Sequence, residues 1–188
     1  HAPAYALAGS TLLRLKRPAE AEPRLRKAIA LDKTDTLSFA NLGVALRQQG
    51  KNAEAIAVME EAAKDNPNDV ELLNNLGVAL RKERRYEESI VYFQQALEAK
   101  PGDLAITRNL AISTRGVERF ADAIPLYKQV VEKDPSDAGA FYDLANCYEK
   151  MGKNDEAASA YRRYATLTRD KDPKGAALAE QRAASLKD

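Results

Sequence analysis

Three asparagine–arginine pairs recur at a fixed interval: Asn41 with Arg47, Asn75 with Arg81 and Asn109 with Arg115, each set 34 residues from the next. An asparagine amide both donates and accepts, so a row of them can pair with a peptide backbone whatever its side chains. A guanidinium favours carboxylates, bidentately where geometry allows. Gln48 and Lys82 extend this polar stripe, and Val44, Val78 and Ile112 supply an apolar strip between the two rows. The chemistry on offer is recognition of another chain rather than bond making.

The residues for bond making are missing. His1 is the sole histidine, which excludes histidine-based triads and clustered histidine metal sites, and it reads as a tag remnant. Cys147 is the single cysteine, at a small-residue position inside a helical run, where a buried structural thiol is expected. One cysteine makes no internal disulfide, which fits the cytosol and the bacterial periplasm equally. The stretch from Gly43 to Gly50-Lys51-Asn52 is a near miss for a phosphate loop: the gap is too long, Asn52 replaces Ser or Thr, and no strand precedes it. We therefore expect a non-enzymatic protein with no cofactor and no metal.

Charge is balanced, with 29 basic and 28 acidic residues, so no net field draws the chain to nucleic acid or a membrane surface. The densest basic cluster, Arg81-Lys82-Glu83-Arg84-Arg85, reads as a solvated turn, too small to make a basic face. No apolar run approaches a membrane span. At 188 residues and 45% hydrophobic content the chain has ample apolar surface to bury.

The elements that must position the stripe are set by the same interval. Residues 41–47 and 75–81 are identical at all seven positions, and the frame extends outward without insertion over 2–35, 36–69, 70–103, 104–137 and 138–171. A strict period of this size means stacked supersecondary units that cannot bury their apolar faces alone. One position is always small (Gly9, Gly43, Gly77, Ala111, Ala145), and another, sixteen residues on, is large (Leu25, Met59, Phe93, Tyr127, Tyr161). Phe39, Leu42, Gly43 and Leu46 follow helical spacing, as do Ala55, Val58, Met59 and Ala62. Gly50 and Gly152 close first helices with positive φ, and Pro67, Pro101 and Pro135 close units. Pro23 and Pro125 fall early in second helices, where a missing N–H is expected to be tolerated. Each unit is thus an antiparallel helix pair.

This pattern resembles the tetratricopeptide repeat family over residues 2–171. The resemblance implies an all-α fold, a right-handed α-solenoid of five helix pairs, followed by a capping helix in 172–188. Asp172 and Pro173 read as its N-cap and first residue, and Leu178 and Ala179 keep the packing phase. Lys33 and Arg169 stand where a closing proline is expected, and Thr107 and Thr114 replace bulky apolar groups, so looser packing is expected there. No cap precedes the first repeat, which suggests further chain upstream.

In this family the first helix of each pair lines the concave face. The resemblance therefore places Asn41, Asn75, Asn109, Arg47, Arg81, Arg115, Gln48 and Lys82 in a partner-binding groove for an extended, acidic or polar segment. A similar asparagine ladder occurs in the peptide-binding repeats of O-linked N-acetylglucosamine transferases. At helix spacings of about 8–10 Å, each rung would meet roughly three residues of an extended chain. The two-carboxylate clamp of chaperone-binding repeats is missing, with Ala40 and Val44, then Asn75, then Ala105 and Asn109 at its places. Other readings stay open. The asparagines could bond only to neighbouring repeats and the arginines to Glu60 or Glu61. The solenoid could assemble with its own copies through Tyr5, Leu12 and Leu25, left partly uncovered at the first repeat. The repeats could also serve a larger enzyme, such as a glycosyltransferase, as its recognition module.

Overall fold

A computed structural model describes residues 1–186, and the last two residues of the expected capping segment lie outside it. Eleven helices and no strand occur among the described residues. They fall into two compact units, one from His1 to Pro101 and one from Gly102 onward. The first holds α1 (Ala2–Arg14), α2 (Pro18–Leu31), α3 (Thr36–Gln48), α4 (Asn52–Asp65), α5 (Val70–Lys82) and α6 (Tyr86–Ala99). The second holds α7 (Leu104–Gly116), α8 (Phe120–Lys133), α9 (Ala138–Lys150), α10 (Asn154–Thr168) and α11 (Pro173–Ser185).

Within each unit consecutive helices pack as pairs, and α3 touches α5 as α7 touches α9. The close approach within a pair rests on the small position. A Cβ added at Gly9 would lie 2.5 Å from Leu25 Cγ, at Gly43 2.4 Å from Met59 Sδ, and at Gly77 2.7 Å from Phe93 Cε1. Each large residue thus fills the groove that its glycine opens. In the second unit Ala111 and Tyr127 share one buried cluster with Leu144 and Cys147, and Ala145 and Tyr161 share another with Ala179 and Ala183.

Aspartate starts α3, α5, α7, α9 and α11. Asp35 accepts from the Ser38 N–H, Asp69 from Leu72, Asp103 from Ala105 and Ile106, Asp137 from Ala140 and Asp172 from Gly175. Two of these caps also hold the preceding first helix: the Thr36 hydroxyl donates to Asp69 Oδ2 at 2.5 Å, and Arg108 Nε lies 2.7 Å from Asp137 Oδ2. The second helices begin instead at basic residues with no side-chain cap. Acids in their first turns face the helix dipole, as Glu20, Glu88 and Asp122 do while pairing with Arg17, Arg85 and Arg119.

The turn inside every pair carries a positive φ at one place: Lys16 at 57°, Gly50 at 78°, Arg84 at 60°, Glu118 at 59° and Gly152 at 70°. Glycine at Gly50 and Gly152 therefore marked a corner that three other residue types also occupy. Arg169, standing for a closing proline, caps α10 with helical backbone angles, and α10 runs one residue longer than α4, α6 or α8.

Three expectations are corrected. Leu25 is fully buried, because it fills the groove over Gly9 rather than standing at an open edge. Thr107 and Thr114 give no correction: both are buried, their hydroxyls donating to the Asp103 and Leu110 carbonyls at 2.8 Å. Pro23 and Pro125 sit at the sixth position of α2 and α8, beyond the four free N–H groups of the first turn. They are accommodated because the residues whose carbonyls lose a donor, Ala19 and Ala121, are solvent-exposed. Leu178 is 66% exposed, since no second helix pairs with α11 among the described residues, whereas Ala179 is buried as expected.

Candidate functional site

In the first unit the stripe residues lie on α3 and α5. Asn41 and Asn75 are half-buried, and neither side chain has a hydrogen-bond partner among the described residues. Gln48 and Lys82 are exposed, and Val44 and Val78 are half-buried between the polar rows. Arg47 is half-buried with no ion pair or side-chain hydrogen bond among the described residues. Burial first, and then repulsion from the nearby Arg81, holds its guanidinium below the ordinary arginine value. Glu60, a candidate partner for these arginines, pairs instead with Arg85 at 3.6 Å. Two like charges thus sit together on one face, and at least Arg47 faces no carboxylate.

The second unit treats the same positions differently. Asn109 is half-buried on α7, and Ile112 lies beside it. Arg115 Nη2 lies 3.4 Å from Asp143 Oδ1 on α9, and Arg115 Nε donates to the Tyr127 hydroxyl at 3.4 Å. Tyr127 in turn donates to Asp143 Oδ2 at 3.2 Å. Burial pushes the Asp143 carboxyl up, while Arg115 and Tyr127 oppose that shift. Burial also pushes the Cys147 thiol up to about 11, so it is a packed thiol and not a poised thiolate. On α9 Glu149, at the arginine register, accepts from Arg182 of α11. The repeat that carries acids at both ladder positions therefore binds two arginines within its own unit.

One feature of the second unit escaped the sequence reading. Tyr142, Tyr161 and Tyr164 cluster, with ring centroids 5.7 Å apart for Tyr142–Tyr161 and 5.1 Å for Tyr142–Tyr164. They line a cavity of about 390 Å³ between α9, α10 and α11. The available signal was Tyr164 itself, which stands where the earlier repeats carry Ala28, Ala62, Ala96 and Val130.

No group of acidic, histidine or cysteine side chains suited to a metal ion occurs among the described residues, and no described helix is long and apolar enough to cross a membrane.

The fold and its faces define an all-α repeat protein built from stacked helix pairs. The chain belongs to the tetratricopeptide repeat family, whose models match residues 2–35, 40–103 and 116–181. Among solved structures it is similar to MamA 41-end from Desulfovibrio magneticus RS-1, at a TM-score of 0.82 and 23% identity over 91% of this chain and 97% of that one. It is also similar to YrrB, described as a TPR protein with an unusual peptide-binding site, at a TM-score of 0.82 and 20% identity over 96% and 92%. MamA AMB-1 gives a TM-score of 0.81 and 22% identity over 88% and 98%. At these identities the likeness shows the fold. No curated protein matches the sequence. Family and fold together support a protein–protein interaction scaffold.

Proposed function

We propose that the protein is a non-catalytic scaffold that binds an extended, acidic or polar segment of a partner protein along its first helices. The observation that carries this reading is Arg47, half-buried beside Arg81 and without a carboxylate of its own. A partly desolvated guanidinium next to a like charge gains most from an incoming anion. The unpaired amides of Asn41 and Asn75 offer the donor and acceptor that a peptide backbone needs, and Val44 and Val78 offer apolar contact. A peptide-binding site in YrrB, which shares the fold, is in keeping with this use.

In the second unit the proposed contacts of Asn109 and Arg115 have a different character, because Arg115 already holds Asp143. The first unit should therefore dominate the affinity for acidic segments. Binding of acidic and neutral unstructured peptides to the parent and to Arg47→Ala tests this. Acidic peptides should bind the parent more tightly, with a salt dependence that flattens in the variant. Equal affinity for both proteins would remove the groove assignment.

A further inference from the structure

The side of α3 that faces away from the polar stripe opens onto a cleft. At about 3.6 residues per turn, Phe39 and Leu42 lie roughly opposite Asn41 and Val44. With Ile29 of α2 and Val58 of α4 they wall a cavity of about 300 Å³ inside the first unit. The register of Phe39 continues through Leu73, Thr107 and Phe141, and that of Val58 through Tyr92, Leu126 and Ala160. Where the larger Tyr92 and Leu126 stand, Leu73 and Thr107 are 1% and 2% exposed. Where Val58 and Ala160 stand, Phe39 and Phe141 are only half-buried.

The fifth repeat covers its ring with a cation. Arg163 of α10 holds its guanidinium 5.8 Å from the Phe141 ring centroid and donates through Nη2 to the Pro135 carbonyl at 3.4 Å. A guanidinium within about 6 Å of an aromatic centroid is attracted by the ring quadrupole. In the second repeat the register of Arg163 carries Glu61, and that of Pro135 carries Lys33. Glu61 is exposed, with no ion pair or side-chain hydrogen bond among the described residues, and the Lys33 carbonyl accepts no hydrogen bond from them. The cleft over Phe39 thus keeps the ring and the carbonyl but exchanges the built-in cation for a carboxylate. Of the cations on its rim, Arg26 is spent on Glu22 and Glu54, and Lys33 is an exposed ammonium on a flexible stem. An incoming anion would meet the negative face of the ring and Glu61, so the cleft selects a cation.

We propose that the cleft between α2, α3 and α4 takes an arginine side chain presented by a partner protein. The guanidinium lies over Phe39 as Arg163 lies over Phe141, pairs with Glu61 and donates to the Lys33 carbonyl. A planar, weakly hydrated guanidinium suits an aromatic face better than a compact ammonium does. This site lies across α3 from the stripe and takes the opposite charge, so either assignment can fail without the other.

Heteronuclear NMR titration of the whole chain with the blocked tripeptide glycine–arginine–glycine, beside its uncharged citrulline analogue, tests the proposal. The arginine peptide should move the Phe39, Val58 and Glu61 amide signals to saturation, and the citrulline peptide should not. Glu61→Arg should supply the guanidinium from within, keep the helical circular dichroism and abolish the response. Glu61→Gln should weaken binding about threefold, and Phe39→Leu, which copies the neighbouring repeat, about fivefold. Arg47→Ala should bind the arginine peptide as the parent does. Signals that move only outside the cleft, an equal response to citrulline, or an unchanged affinity in a folded Glu61→Arg protein would each overturn the assignment.

Discussion

Arg115 of α7 and Asp143 of α9 are joined through Tyr127 of α8, with the guanidinium 3.4 Å from Asp143 Oδ1 and the tyrosine hydroxyl 3.2 Å from Oδ2. Three consecutive helices of the second unit thereby meet at one carboxylate. Removing it should leave a half-buried guanidinium unpaired, so Asp143→Ala is expected to destabilise the protein by about 1–3 kcal/mol. Asp143→Asn keeps an acceptor for Tyr127 and should cost less. Urea unfolding of both variants checks this, and a loss under ~0.5 kcal/mol for the alanine variant would reduce the pair to an ordinary surface contact.

Glu22 of α2 makes a pH-sensitive contact. Its carboxylate accepts from Lys51 at 2.8 Å, from Gln49 at 2.9 Å and from Arg26 at 3.1 Å, and the Lys51 bond leads in lowering its pKa to about 2. A folded value below the unfolded one, about 4.3, means stability that is fully present above that pH and lost as pH falls towards 2. Glu22→Gln should be less stable than the parent near neutrality and converge with it in acid. Denaturant midpoints across this range would show parallel curves if the contact contributes nothing.

The corner residues give a test of backbone strain. Lys16, Arg84 and Glu118 hold the left-handed conformation that Gly50 and Gly152 adopt without a Cβ. Replacing any of the three by glycine should stabilise by roughly 0.5–1 kcal/mol after the unfolded-chain entropy of glycine is subtracted. Gly50→Ala or Gly152→Ala should destabilise by a similar amount. Thermal midpoints moving in the opposite directions would contradict the strain argument.

Gly43 and Gly77 occupy equivalent places but face different neighbours. A methyl group at Gly43 meets the Met59 thioether, which can swing aside, whereas at Gly77 it meets the Phe93 ring. Gly77→Ala should therefore cost about 1–3 kcal/mol, and Gly43→Ala clearly less. Similar losses for the two would mean that the methionine is held as rigidly as the ring.

Helix pairs, turn positions and the small–large packing partners were legible in the sequence because each depends on residues inside one pair. Gly43 with Met59 and Pro67 after α4 are examples of such local signals. The partners of the arginine stripe were not legible. Whether an arginine is spent depends on what the next repeat offers: Asp143 takes Arg115, whereas Asn75 occupies the matching place for Arg47. The tyrosine cavity was hidden for a related reason. It involves a helix one residue longer and a ring at a small position, and the 34-residue frame registers the ring but neither the extra helical residue nor the neighbours the ring meets.

The doubly used aspartate caps bear on how each unit comes apart. Asp69 starts α5 while anchoring Thr36 at the head of α3, and Asp137 starts α9 while holding Arg108 of α7. When one of these helices frays, its neighbour loses a tether at the same moment. A unit built this way behaves as a one-dimensional lattice whose adjacent sites favour the same state. Opening should then travel as a moving boundary rather than as isolated bubbles, so amide exchange along α3 and α5, or along α7 and α9, should rise together.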